Sequence, residues 1–176
     1  MPVKSFTSSD WLKLVRVPGF GPASLLPFLP KAESLQQLSE LCGPRRGKSL
    51  LAAIDAIAGS DLDKDLAWLE QPGNRLLSWT DTDYPALLKE IHQPPLALFV
   101  TGEAQLLSMP QLAIVGSRNP TRNGLQNAEA FAKYLAGCGL TITSGLAAGI
   151  DAHAHTGALQ ANGRTIAVIG TGNDRV

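Results

Sequence analysis

The sequence predicts an α/β chain in which a small helical domain precedes a domain built on a parallel sheet. Three observations carry this. Residues 1–73 hold five short stretches with apolar residues at helical spacing. Past residue 74 the period changes, and short apolar runs alternate with helical stretches, which is the pattern of βαβ units. Hydrophobic residues make up 44 % of the 176, enough for a core, so wholesale disorder is excluded.

The helices follow in order. Ser8, Ser9 and Asp10 offer caps for a helix running to about Val17. Pro18-Gly19-Phe20-Gly21-Pro22 breaks it, and Pro22 suits the first turn of a second, short helix carrying Leu25, Leu26, Phe28 and Leu29. Ala32, Leu35, Leu38 and Leu41 put one apolar face on a third helix, which Gly43-Pro44 stops. Leu50, Leu51, Ile54 and Ile57 mark a fourth, ending near Gly59. Asp61 opens a fifth, with Leu62, Leu66 and Leu69, closed by Pro72-Gly73. The domain boundary is placed near Gln71–Asn74, giving domains 1–73 and 74–176.

In the second domain Leu76-Leu77 starts a strand, and Tyr84-Pro85 to Ile91 reads as a short helix ended by Pro94-Pro95. Four apolar runs follow: Leu96–Val100, Leu112–Val115, Leu140–Thr143 and Thr165–Ile169. One intervening helix runs from about Asn123 to Ala136, with Leu125, Ala128, Phe131, Ala132 and Leu135 on one face. The other runs from about Asp151 to Gln160. A doubly wound sheet has about five or six strands. Three or four are available here, so the chain reads as one cut within this domain.

Composition narrows the function. Fifteen Lys and Arg balance fifteen Asp and Glu, so the formal net charge is zero. The balance holds in each part, eight against eight over 1–73 and seven against seven over 74–176. Nucleic-acid binders usually show a basic excess, so any such site must be local. The N-terminus has no apolar h-region and no run is long enough to span a bilayer. A cytoplasmic protein without a membrane partner is expected. Cys42 and Cys138 make neither a disulfide framework nor a ligand cluster. Cys138, between Gly137 and Gly139, reads as a small packed residue.

In open parallel sheets, ligands bind outside the carboxyl ends of the strands. Three successive strands here run into small and hydroxyl-bearing residues: Gly116-Ser117-Arg118, Ser144-Gly145 and Gly170-Thr171-Gly172. If adjacent, these ends form one groove with open backbone N–H groups. Arg118 adds a fork suited to phosphate, and Arg122 joins it as a second cation. Glycines also serve tight strand–helix turns, so a plain turn stands beside the phosphate reading. Gly116 to Gly124 does not match G-x-G-x-x-G, and no P-loop motif is present, so no nucleotide cofactor is expected.

Asp151, His153 and His155 invite a metal, but His153 and His155 lie two apart and point to different sides of a helix. Asp151 sits where an N-cap belongs and is assigned that structural role. No catalytic set and no metal site are assigned. Two further features stand apart. Val17-Pro18-Gly19-Phe20-Gly21 joins two helices as a helix-hairpin-helix turn does, whose amides can meet a DNA phosphate. A plain glycine turn fits it as well. Arg45-Arg46-x-Lys48 is a small basic cluster, for which a solvated loop is the simpler reading.

Taken in order, several segments carry a resemblance: Asp83-Tyr84-Pro85-x-Leu87-Leu88, Pro94-Pro95-x-x-Leu98-Phe99, Val115-Gly116-Ser117-Arg118, Ser144-Gly145-Leu146-Ala147-x-Gly149-Ile150-Asp151, Ala154-His155-x-Gly157-Ala158-Leu159, and Gly163-x-Thr165 through Gly172-x-Asp174. From about residue 8 to 176 the chain resembles the DNA-processing protein A (DprA/Smf) family.

The resemblance implies a sterile-alpha-motif-like helical domain followed by a Rossmann-type domain, here incomplete. It implies a non-enzymatic role, binding single-stranded DNA during natural transformation and helping load the recombinase RecA. Carried over, Gly116, Ser117 and Arg118 contact the DNA backbone, and Ser144 and Gly145 line the same groove. The family often has a basic residue where Ala148 stands. It continues past Asp174 with segments implied to build a homodimer and part of the RecA contact. Two alternatives remain at this point: a nucleotide-processing enzyme of the phosphoribohydrolase type using the same groove, with Asp151 as its acid, and an inactive fragment.

Overall fold

The computed structural model describes residues 6–170. They fall into two compact units divided between Ala104 and Gln105.

The first unit holds α1 (Ser8–Arg16), α2 (Pro22–Leu25), a 3₁₀ turn (Leu29–Lys31), α3 (Leu35–Leu41), α4 (Pro44–Asp55) and α5 (Gly59–Leu69). The antiparallel strands β1 (Asn74–Ser78) and β2 (Ala97–Thr101) follow, with α6 (Ala86–Lys89) between them. Thr7 caps α1, one residue before the expected Ser8. Its hydroxyl accepts the Asp10 N–H at 3.2 Å and the Asp10 carboxylate accepts the Thr7 N–H at 2.9 Å, a reciprocal capping box. Gly43-Pro44 both ends α3 and opens α4, since proline at the first helical position loses no hydrogen bond. Arg16 of α1 grips Asp65 of α5 through two contacts, at 2.6 and 2.8 Å.

The expected boundary at 73/74 falls inside this unit, and packing explains why. Trp11, Leu14, Val17, Leu25, Leu29, Leu38, Leu50 and Ile54 form one buried cluster with Leu96, and Leu76 and Trp79 pack against it. A two-stranded ribbon is marginal alone, so β1 and β2 take their core from the helices. Trp68 meets Phe99 edge-on at 5.5 Å. Tyr84 donates its hydroxyl to the Pro95 carbonyl at 2.8 Å, and burial pushes its phenol up to about 12. Tyr84 therefore anchors the approach to β2.

The second unit contains β3 (Gln111–Ala113), α7 (Arg122–Gly137), β4 (Thr141–Ser144), α8 (Ile150–Gln160) and β5 (Thr165–Ala167). The three strands are parallel in the order β3-β4-β5, with Leu112 opposite Ile142 and Ile142 opposite Thr165. These are the last three of the four expected apolar runs. The first, Leu96–Val100, belongs to the antiparallel ribbon instead.

The core of this unit is built from small residues: Ala132, Ala136, Ile142, Ala154 and Ala158 are buried, with Ile114, Leu135 and Ala161 against them. Phe131, expected on the buried face of α7, is 64 % exposed. Cys138 caps α7 and is exposed rather than packed. The exposure of Phe131 has a packing cause. The buried stripe of α7 is Ala128, Ala132 and Ala136, because α8 approaches too closely for larger side chains. Among the described residues, no helix is long and apolar enough to cross a membrane.

Candidate nucleic-acid interface

Strand order decides whether the three glycine-bearing strand ends can act together. With β4 central and all strands parallel, the segments after β3, β4 and β5 emerge side by side along one edge of the sheet.

The first segment is seated on the start of α8. The Ile150 N–H donates to the Ser117 carbonyl at 3.2 Å. A Cβ at Gly116 would lie 2.7 Å from Ile150 Cγ1, and one at Gly149 would strike the Ser117 carbonyl. The two glycines therefore allow backbone and helix to touch. Within the turn, the Asn119 N–H donates to the Ser117 hydroxyl at 3.1 Å. Thr121 caps α7 through the Gly124 N–H at 3.1 Å. Arg118 lies in this turn and Arg122 opens α7; both are exposed and neither makes an ion pair among the described residues.

Ser144 and Gly145 divide in role. Ser144 is the last residue of β4 and is 2 % exposed. Its hydroxyl donates to the Ile114 carbonyl at 2.6 Å, which ties β4 to the extension of β3. The hydroxyl thus belongs to the sheet and does not reach the groove. Gly145 is partly exposed, and its N–H donates to the Asp151 carboxylate at 3.2 Å. Gly170 has open space around it. Thr171 and Gly172 lie outside the described residues.

Asp151 is not the N-cap. Gly149 takes that position, in a positive-φ conformation that suits glycine, and no side chain caps α8. Asp151 lies in the first turn, 7 % exposed, and holds the β4–α8 loop by its bond to Gly145. A carboxylate there is also favoured by the helix dipole. We expect Asp151→Ala to leave the Gly145 amide without its partner and to cost about 1–3 kcal/mol. Thermal unfolding measures this, and an unchanged melting temperature would remove Asp151 from the loop's support.

The two helix histidines turn to different partners. His153 Nδ1 pairs with Glu129 at 2.8 Å, and Gln160 also donates to Glu129, at 2.7 Å. The His153 and Gln160 hydrogen bonds hold the Glu129 carboxyl below its ordinary range. His155 is buried beside β5. Thr165 donates its hydroxyl to the Ile142 carbonyl at 2.7 Å, so it accepts from His155 Nδ1–H, also at 2.7 Å. Burial pushes the His155 imidazole below its usual range, and the Asp151 charge only partly offsets this. Among the described residues, no cluster of three or more His, Cys, Asp or Glu could hold a metal ion.

These features define a Rossmann-type α/β protein whose candidate site is the glycine-lined edge at the strand ends, with Arg118 on the turn after β3. A family model described as DNA recombination-mediator protein A matches residues 75–176, more than half of the chain. The chain belongs to that family. It is 47 % identical to Protein Smf of Escherichia coli over 111 residues, covering 63 % of this chain and 30 % of that protein. It is 48 % identical to the DNA processing protein DprA of Streptococcus pneumoniae over 94 residues, covering 53 % and 33 %. The X-ray structure of the Streptococcus pneumoniae DprA superposes with a TM-score of 0.78 at 32 % identity, covering 98 % of this chain and 60 % of that one. The chain thus spans about a third of these curated relatives. The match begins one residue into β1.

Proposed function

We propose that the chain binds single-stranded DNA through backbone phosphates at the ends of β3, β4 and β5, as a non-enzymatic recombination mediator whose protein partner is RecA. One observation carries the reading. The turn 116–118 rests on α8 and presents Arg118, exposed and unpaired among the described residues, beside the Gly145 and Gly170 segments. Membership of a recombination-mediator family supports DNA as the anion.

Phosphate contacts dominate in this reading. Single-strand binders often add stacking aromatics. Here Trp11 is buried in the helical core, and Trp68 and Trp79 also belong to the first unit. Binding should therefore weaken steeply with salt. The acid that an enzyme would need is engaged elsewhere, since the Asp151 carboxylate is buried and bonded to Gly145.

Anisotropy of a labelled oligo-dT, titrated with the chain and with Arg118→Ala at two salt concentrations, tests the reading. We expect salt-sensitive binding that Arg118→Ala weakens about tenfold, the scale of one charged hydrogen bond. The loss should be equal for all base compositions. A base-dependent loss, or binding indifferent to salt, overturns it.

A further inference from the structure

Two features of the sequence have no part in the strand-end site: the Pro18–Gly21 turn and the basic cluster Arg45, Arg46, Lys48. The fold brings them together within the first unit. The Arg46 guanidinium lies 5.9 Å from the centroid of the Phe20 ring. Phe20 sits in the turn between α1 and α2, so the Arg46 side chain of α4 reaches that turn.

The charges on this face conflict with local helix electrostatics. The start of a helix favours acidic residues and disfavours cations. The first turn of α4 contains no acidic residue, and Gly43 supplies no capping side chain. Arg45 and Arg46 occupy that turn, with Lys48 close behind. All three are exposed, and none makes an ion pair among the described residues. Arg16, at the end of α1, is by contrast neutralised by Asp65. A cluster that works against its own helix without an acidic partner marks a place where local rules yield to function.

The turn supplies complementary groups. The backbone N–H groups of Gly19 and Gly21 donate no hydrogen bond among the described residues. Gly19 and Gly21 are exposed with nothing crowding them, so a ligand can approach the backbone. Fixed cations beside free amides, with no pocket needed to shape a base, suit a phosphodiester backbone.

We propose that Arg45, Arg46, Lys48 and the 18–21 turn form a second DNA-backbone contact, on the helical unit, that does not read sequence. It shares its ligand with the strand-end reading but none of its residues.

The test uses the full chain, with Arg45→Glu/Arg46→Glu, Arg45→Gln/Arg46→Gln/Lys48→Gln, and Arg118→Ala. The glutamates complement the helix dipole, so the melting temperature should hold or rise. Affinity for oligo-dT should nonetheless fall at least about tenfold, and the slope of log affinity against log salt should flatten by about 1.4 for two lost contacts. The glutamine variant, which removes three cations without reversing charge, should flatten the slope by about 2.1. A duplex of equal length, run in parallel, shows which form of DNA this surface prefers. Wild-type affinity and slope in both α4 variants, while Arg118→Ala binds weakly, overturn the proposal and leave the strand-end site standing. Loss in the α4 variants with no loss in Arg118→Ala upholds it and overturns the strand-end reading. A parent chain that binds neither form overturns both.

Discussion

The Gly149→Ala substitution is expected to destabilise the second unit strongly and to displace the turn that carries Arg118. Gly149 has φ 91° and ψ −127°, a region that L side chains rarely enter. Forcing alanine there costs about 1–3 kcal/mol in backbone strain. Its Cβ would also strike the Ser117 carbonyl and lie 2.8 Å from the Arg118 carbonyl oxygen. Both obstacles are backbone atoms, which no rotamer change can move aside. Overpacking of this kind costs about 1–3 kcal/mol more. The sum is a large fraction of the stability of a small domain, about 5–15 kcal/mol. Urea unfolding followed by circular dichroism measures it. The turn can relieve the clash only by leaving α8, so DNA affinity should fall even under conditions where the variant remains folded. Gly116→Ala provides the contrast, because its obstacle is the Ile150 side chain. Trimming with Ile150→Ala should rescue Gly116→Ala and leave Gly149→Ala unrescued. Wild-type stability in Gly149→Ala would mean that the turn does not rest on the helix.

The elements that sequence disclosed are those whose signal is local. Apolar runs bounded by glycine located β3, β4 and β5, and the strand-end rule put 116–118 and 145 at strand carboxyl ends, which the strand order then brings to one edge. Pairing is not local. Leu96–Val100 looks like the other runs, yet it joins β1 antiparallel, because a short apolar run does not encode its partner. Ser144 shows the same limit on a smaller scale. A hydroxyl at the last position of a strand can face a ligand or bond across the sheet, and here it bonds to Ile114. Asp151 was legible as a residue that fixes the start of α8, but the cap itself fell to Gly149, two residues earlier, for the conformational reason given above. The pairing of Phe20 with Arg46 was out of reach, since 26 residues separate two motifs that each had a plain local explanation.

Phe131 points to the interaction that most shapes the second unit. Helical periodicity weights bulky residues, whereas a close helix pair selects small ones, so the largest apolar side chain on α7 lies outside the contact. Gly157 is the counterpart on α8. A Cβ there would strike the Glu129 carbonyl and lie 3.0 Å from Ala132 Cβ. Two effects of Gly157→Ala oppose each other. Alanine in a helix interior gains about 1 kcal/mol of propensity over glycine. The clash is with the α7 backbone, so α7 and α8 must separate, at about 1–3 kcal/mol or more. Separation would also stretch the bonds that Glu129 makes to His153 and Gln160. The clash should win, and the melting temperature should fall. Gly137→Ala isolates the propensity effect, because Gly137 closes the same α7 helix, has no positive φ and has open space where a Cβ would go. That substitution should stabilise by about 0.4–1 kcal/mol. Opposite signs for one chemical change at two helix glycines would establish that backbone contact, and not side-chain interdigitation, holds α7 to α8. If both substitutions stabilise, the helices have room to spare and the alanine core no longer explains why Phe131 is exposed.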